Sequence, residues 1–162
     1  MGSRIRLFLN DQHGAAAAEM ALIMPLVIVM LFATFEGAYF VITEHQVVTG
    51  VRNAARYAAR LDFSQYACPA ATFSGSTATV QNLARTGQLT GGTSRVQGWV
   101  NGDITVTVTC TAQTGIYTAV GNYAPNVRVS SRFNYPSLMG QLGFTQAALP
   151  IGASAESPVM GL

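Results

Sequence analysis

The 162-residue chain contains no lysine, and charged residues of every kind make up only 10% of it. Soluble domains average about 25% charged residues, so this composition favours a chain that meets an apolar environment. The net charge of +2 is too small to indicate a nucleic-acid partner or an acidic substrate. At this length we expect one domain with a core of its own.

Histidine and cysteine are also scarce, with two of each: His13, His45, Cys68 and Cys110. A zinc site needs about four ligands, and no Cys-x-x-Cys pair is present, so the sequence predicts no metal site and no cofactor. It also contains no paired carboxylates and no Gly-rich phosphate loop, and we therefore expect neither an enzyme nor a small-molecule substrate. The two cysteines are either unrelated thiols or, in an exported region, a disulfide.

What the chain does contain is one long apolar segment. Residues 20–35 read MALIMPLVIVMLFATF and carry no charge. About 20 apolar residues suffice to cross a membrane, so the sequence predicts a transmembrane helix over residues 15–43, and the alternative is a buried helix of a soluble domain. Two acids, Glu19 and Glu36, interrupt this segment. An ionised carboxylate at the centre of such a helix costs about 2.5–3.5 kcal/mol on insertion scales, so Glu19 needs an explanation.

The orientation of this helix follows from the residues around it. Arg4 and Arg6 precede the span, which places the N-terminus in the cytoplasm by the positive-inside rule. Arginines after the span weaken this assignment, whereas the cysteines support it because a disulfide needs an oxidising compartment. Small residues precede the apolar run at 15–18 instead of following it, which is the wrong order for a removable secretory signal. The order suits a short leader before a segment that stays in the membrane.

The stretch HGAAAAEM at residues 13–20 resembles the processing site of type IV prepilin-like proteins. In those proteins a peptidase cuts after a glycine, and a glutamate stands fifth in the mature chain. The wider pattern of GAAAAEMALIMP, FEGAYF and NAARYAAR is similar to the TadE-like pseudopilins of the tight-adherence (Flp) pilus system. This resemblance covers residues 13–60, and TadF-like and TadG-like relatives share its beginning.

The resemblance implies that residues 1–14 are a leader and that a prepilin peptidase cuts between Gly14 and Ala15. It implies a minor pilin or pseudopilin that assembles Flp-type pili, without deciding whether the protein enters the fibre. In related pilins the glutamate pairs with the N-terminal ammonium of a neighbouring subunit, which assigns Glu19 to assembly. The other interpretation of Glu19 is a carboxylate that is protonated or lies at the headgroups. Glu36 lies either at the outer interface or in a subunit contact.

The implied partners are the prepilin peptidase, other pilins and pseudopilins, the pilus assembly platform and the membrane, but no nucleic acid. The implied location is the bacterial inner membrane, crossed once, with the C-terminal domain in the periplasm or carried into the pilus. A hypothesis from another class is an unprocessed, membrane-anchored periplasmic binding protein.

Residues 44–62 have the period of an amphipathic helix. Its apolar face is formed by Val47, Val51, Ala54, Ala58 and Leu61, and its opposite face by Arg52, Arg56 and Arg60. The arginines are interpreted as a solvated face or as a contact for lipid phosphates or an acidic partner. Gly50 makes a continuous helix less certain.

Residues 63–162 predict a small periplasmic sheet domain. STATVQNLARTG indicates a short helix that starts at a Ser or Thr cap and ends at Gly87, and Asn101-Gly102 indicates a type I′ hairpin. In the next strand Cys110 shares the inner face with Ile104, so a disulfide to Cys68 can form. Two further strands are predicted. The first alternates, with Arg128 and Arg132 outward and these residues inward: Val127, Val129, Phe133 and Tyr135. The second has Ala147, Leu149, Ile151 and Ala153 on one face, and Pro150 on the other face marks it as an edge strand. The expected fold is α+β, with a long membrane-spanning helix that continues into three or four antiparallel strands packed on its distal part.

Overall fold

A computed structural model describes residues 13–114, 122–141, 143 and 149–161 of the chain. Contacts divide the chain into two compact units, one ending at Tyr39 and the other beginning at Phe40. Arg4, Arg6 and Ala147, which enter the sequence predictions, lie outside the described residues.

Helix α1 runs from His13 to Ala58 and includes Pro25. Within the first unit, all side chains from Gly14 to Phe35 are exposed. The helix is long and apolar enough to cross a membrane. The predicted long apolar N-terminal helix is therefore confirmed. Pro25 removes one backbone donor from the helix, which membrane helices tolerate.

In the second unit, the distal part of α1 buries the predicted apolar stripe. Val47, Val51, Ala54 and Ala58 are all at most 1% exposed, and Leu61, beyond the helix end, is half-buried. The three arginines of the opposite face are exposed, as predicted: Arg52, Arg56 and Arg60. An amphipathic stripe of this kind is what a helix needs in order to pack on other elements of its own chain.

Helix α2, Thr77–Thr86, packs closely against α1. Ser76 caps it, since its Oγ accepts a hydrogen bond from the backbone N–H of Thr79 at 3.2 Å, and Gly87 ends it with a φ of +80°. These are the predicted start and stop signals. A Cβ added to Gly50 would lie 2.2 Å from the carbonyl oxygen of Ala84 in α2. Gly50 therefore permits the close approach of the two helices, and α1 remains continuous through it.

Two small antiparallel sheets follow. Strands β1 (Tyr66–Ala67) and β2 (Thr72–Phe73) pair with each other. Strands β3 (Ile104–Ala112), β4 (Tyr123–Asn134) and β5 (Pro150–Pro158) form a second sheet in the order β3-β4-β5. A four-residue helix, α3 (Leu138–Gln141), lies between β4 and β5. The α+β prediction is confirmed, and β5 lies at an edge of its sheet as Pro150 indicated.

The alternation along the strands is also as predicted. Ile104 and Val108 are buried in β3, and Val127, Val129 and Phe133 are buried in β4. Thr105, Thr107 and Thr109 are exposed on the other face, together with Arg128 and Arg132. One face of the sheet therefore contributes to the core, and the other is polar and open to solvent.

The predicted hairpin at Asn101-Gly102 is wrong. Residues 96–100 form no strand, and Asn101–Asp103 form a 3₁₀ turn instead. The Asp103 carboxylate accepts a hydrogen bond from the backbone N–H of Val100 at 2.9 Å. This N–H therefore bonds a side chain and not the carbonyl of a neighbouring strand. Gly102 has no positive φ, which a type I′ turn would require.

Trp99, which lies just before this turn, is a centre of the core. It is 1% exposed and stacks on Phe133 with ring centroids 5.8 Å apart. Its indole N–H donates to Ser131 Oγ at 2.9 Å, which satisfies two buried polar groups together. Burial of the indole explains why residues 96–100 leave the extended path of a strand.

The end of α1 is tied to both ends of the sheet domain. The Tyr66 hydroxyl donates to the carbonyl of Ala58, and the backbone N–H of Met160 donates to the carbonyl of Ala59 at 2.8 Å. Carbonyls in the last turn of a helix lack helical partners, so these bonds satisfy groups that the helix leaves open.

Burial raises the pKa of Tyr66 to about 12. Hydrogen bonds from the side chain and backbone of Ser64 lower the pKa of Asp62.

Candidate processing and assembly site

Gly14 and Ala15 lie in the first turn of α1 as the structure describes it. Both are exposed. A Cβ added to Gly14 would meet no atom within 4 Å. The described fold therefore gives no packing reason for glycine at this position, and its backbone is open to approach from outside.

Glu19 lies one turn beyond Ala15 and is also exposed. Residues four apart share a helix face, and helical side chains lean toward the N-terminus of the helix. The carboxylate of Glu19 therefore leans toward the turn that contains Ala15. The N-terminal end of a helix carries partial positive charge, which favours a carboxylate nearby. An ammonium at residue 15 would add a full positive charge to the same region.

Glu36 lies farther along the same helix and is half-buried. At a rise of 1.5 Å per residue, the stretch from Ala15 to Glu36 is about 32 Å long. The hydrocarbon core of a bilayer is about 30 Å thick, so the stretch from Ala15 to Glu36, which has Glu19 near its start, has the length of one crossing. All four predicted residues lie on one helix. Gly14, Ala15 and Glu19 lie close together near its start, whereas Glu36 lies far from them.

The cysteine pair lies in the second unit. Cys68 follows β1, Cys110 lies in β3, and their sulfur atoms are within bonding distance with Cα atoms 5.8 Å apart. Bridged cysteines usually have Cα atoms 4.4–6.8 Å apart, so this pair is able to form a disulfide. Such a bridge would join the small β1–β2 sheet to the larger one.

The described residues contain no group of three or more histidines, cysteines or acids placed to hold a metal ion. His45 is exposed on α1. The N-terminal residues offer an uncrowded backbone at Gly14 and an exposed carboxylate at Glu19. Neither requires a cofactor.

Sequence reasoning did not find three contacts of the second unit, two of which hold α1 in its own domain. They are Gly50 against Ala84, Trp99 with Ser131, and Tyr66 with Ala58. A glycine in the middle of a strong helical pattern was the one available signal for the first contact, since such a glycine often marks a close approach. The other two join a periodic segment to Trp99 or Tyr66, which lie outside it in the sequence, and no local pattern signals such a pairing.

Comparison with known protein families gives a match along helix α1. A family model described as TadE-like protein matches residues 14–56. The match includes Gly14, Glu19, Glu36 and the stripe of α1 as far as Ala54, and it ends before the sheets. The resemblance to TadE-like proteins is thus confirmed over this segment. No curated protein and no solved structure matches the chain.

Proposed function

We propose that this chain, whose residues 14–56 match the TadE-like family, is a minor pilin or pseudopilin in the assembly of Flp-type adherence pili. A prepilin peptidase cuts it after Gly14, and residues 15–43 hold the product in the inner membrane. The observation that carries the proposal is that the match begins at Gly14, in the first turn of an exposed apolar helix that has Glu19 about one turn farther on.

The cut after Gly14 is supported by the surroundings of that residue. Glycine lets another backbone approach closely, which a protease cleft needs. The described fold does not itself use this property, because no atom lies within 4 Å of an added Cβ. Recognition by the peptidase gives Gly14 a role that packing does not.

Glu19 then receives a partner from processing. Its carboxylate lies at the start of an apolar surface formed by residues 20–35, where an unpaired charge is costly. Cutting creates an ammonium at Ala15, and the ammonium of a neighbouring subunit pairs with Glu19. Pairing offsets much of the desolvation cost of both groups and fixes how far one subunit is shifted along the other. Lipid and neighbouring subunits cover the apolar side chains.

The proposed topology places the N-terminus in the cytoplasm and residues 63–162 in the periplasm. It is supported by Arg4 and Arg6 before the span and by the bonding geometry of Cys68 and Cys110 after it. Protease added to spheroplasts should remove the sheet domain and leave a membrane-embedded N-terminal fragment. A domain that stays protected until the inner membrane is lysed contradicts this topology.

Mass spectrometry of the membrane-purified protein tests the cut. In cells with an active prepilin peptidase, the mature protein should begin at Ala15, and Gly14→Val should retain the intact leader. Gly37→Val is the matched control, because Gly37 lies in the same helix and an added Cβ there also meets nothing within 4 Å. It should be cut normally. An intact Met1 on the wild-type protein in these cells overturns the proposal.

A second experiment tests assembly. Glu19→Gln removes the charge and keeps the shape, so this variant should be cut normally but lose pilus formation and cross-links to other pilins. Glu44→Gln is the control, since Glu44 is an exposed acid of the same helix beyond the span. If cells with Gly14→Val and cells with Glu19→Gln both make normal pili, the chain is better described as an unprocessed, membrane-anchored periplasmic binding protein.

A further inference from the structure

Strand β5 has an open edge. It pairs with β4 on one side and with no other described strand. Two hydrogen bonds at its ends fix which residues point toward β4: the Leu149 carbonyl accepts from Tyr135 N–H at 2.8 Å, and Val159 N–H donates to the Pro125 carbonyl at 2.9 Å. Backbone directions alternate along an antiparallel strand, so odd-numbered residues bond β4 and even-numbered residues point outward.

The two prolines of β5 occupy outward-pointing positions. Pro150 and Pro158 have no N–H to offer at the edge, which is where proline is tolerated in a sheet. Between them, Gly152, Ser154 and Glu156 present their N–H and C=O groups away from β4. Natural edges are shielded by proline, bulges or charged side chains, and here the prolines shield only the two ends of β5. Here the side chains are small apart from Glu156, so the edge is flat and accessible between the prolines.

A groove runs along this edge beside α1. It is lined by Arg52, Ala55 and Arg56 on one side and by Ser154–Ser157 on the other. Neighbouring residues of a strand point to opposite faces, yet all four residues of β5 line the groove. The groove therefore follows the backbone edge and not one face of the sheet.

The charge of the groove is positive on the helix side. Arg52 and Arg56 are exposed, and no hydrogen bond or ion pair among the described residues involves their side chains. Glu156 faces the solvent side of the sheet, where it accepts a bond from Thr109 Oγ1 at 3.5 Å. The two arginines are separated by about 6 Å of helix rise. Alternate side chains of a strand are about 6.6 Å apart, so two acids on one face of an added strand match them in spacing.

We propose that the open edge of β5 binds an extended acidic segment of another protein. The segment adds a fourth strand to the sheet, and its carboxylates on the α1 side pair with Arg52 and Arg56. A second copy of this chain fits poorly, because pairing two β5 edges would bring two arginine rows together and the acid of β5, Glu156, lies on the opposite face. This proposal does not depend on the cut after Gly14.

The binding test uses the full chain in detergent micelles and a labelled peptide, Thr-Glu-Thr-Glu-Thr-Glu-Thr, with blocked ends. Fluorescence anisotropy should show saturable binding, and the peptide with lysine in place of glutamate should not bind. No saturable binding of the acidic peptide up to millimolar concentration overturns the proposal. Equal binding of the lysine peptide overturns it too.

Methylated peptides separate strand pairing from simple charge attraction. One peptide carries N-methyl groups on its threonine amides and another carries them on its glutamate amides. With the glutamates facing α1, an antiparallel strand uses its threonine N–H groups toward β5, and a parallel strand uses its glutamate N–H groups. One methylated peptide should therefore lose binding while the other keeps it, and the identity of the weaker peptide gives the strand direction. Equal affinity of both with the unmethylated peptide overturns edge pairing.

Variants of the chain test the same contacts. Arg52→Gln combined with Arg56→Gln should weaken peptide binding about fivefold or more, as expected for two exposed charge pairs. Arg60→Gln is the matched control, because Arg60 continues the row but does not line the groove. Ser154→Pro removes an outward N–H and should weaken binding, whereas Ser154→Ala should not. Circular dichroism confirms that each variant is folded.

Two other results would contradict the proposal. If the double arginine variant binds the peptide as the wild type does, the charges have no role. If vesicles with anionic lipid bind to the wild type through Arg52 and Arg56 while the peptide does not bind, the arginines serve a lipid surface and the edge is not a docking site.

Discussion

The two parts of helix α1 differ in how their apolar side chains are covered. Residues 14–35 are exposed throughout, and Leu22, for example, is 80% exposed. Beyond residue 40, the same helix buries a stripe that includes Val47 and Ala54, both 0% exposed. A helix that is apolar all round has no single face to bury, whereas an amphipathic one does. The first part therefore depends on lipid or other chains, and the second is completed by its own domain.

The family match divides the molecule in a related way. It covers the exposed part of α1 and most of the amphipathic part, residues 14–56, and none of the strands. The matched segment thus contains all the residues that we assign to processing and assembly. The sheet domain, with the open edge of β5, lies outside it.

The largest expected difference between the two parts follows from truncating a large side chain in each. Trp99→Ala removes a buried ring that stacks on Phe133 and bonds Ser131, so it should lower the free energy of unfolding of the second unit by about 3–5 kcal/mol. Leu22→Ala, in the exposed part, should leave this value unchanged. Denaturant unfolding in micelles, followed by near-UV circular dichroism, measures both. Equal effects would mean that the two parts are not covered differently.

A glycine in each part gives the next test. Gly50→Ala puts a Cβ against the Ala84 carbonyl and should destabilise the second unit by about 1–3 kcal/mol, because neither helix backbone can move freely. Gly37→Ala meets no atom within 4 Å and should be neutral or stabilise the helix by up to about 1 kcal/mol. Thermal unfolding of both variants makes the comparison. A tolerated Gly50→Ala would show that α1 and α2 are not in close contact.

The sequence predicted the elements whose signals are local. The apolar run, the stripe from Val47 to Ala58, the caps Ser76 and Gly87, and the alternation in β3 and β4 are each encoded within one segment. Asn101-Gly102 failed as a hairpin because the burial of Trp99 and the carboxylate of Asp103 outweighed the local turn preference. Gly50 was read as a weakness because its partner, Ala84, lies in another helix. Contacts between distant segments leave no periodic pattern to read.

The candidate site follows the same distinction. Gly14 and Glu19 are recognisable from their spacing ahead of an apolar run, and the structure places them on one helix. Their proposed partners are a protease and the ammonium of another subunit, which are outside this chain. Pro150 predicted that β5 is an edge strand, but the groove along this edge could not be found from sequence, since it required the register of β5 on β4 and the position of Arg52 and Arg56 beside it.

A smaller effect is expected at the start of α2. Ser76→Ala removes the oxygen that accepts from Thr79 N–H and should cost about 1 kcal/mol of stability in the second unit. Thr77→Ala, one residue later and exposed, is the control and should change stability by less than about 0.5 kcal/mol. Cutting after Gly14 should be unaffected in both variants. Loss of processing in Ser76→Ala would show that the exposed part of α1 depends on the sheet domain.

The last expected effect is a pH dependence of stability that develops only in alkali. Burial holds the pKa of Tyr66 at about 12, above its ordinary value of 10.0, so folding favours the neutral phenol. This contribution to stability is fully present below pH 10 and is lost as the pH rises toward 12, because the unfolded chain ionises first. Tyr66→Phe lacks the ionisable group and the bond to the Ala58 carbonyl. Denaturant midpoints of both proteins should differ most near pH 8 and converge between pH 10 and 12. Parallel curves over this range would mean that Tyr66 is not held neutral at the end of α1.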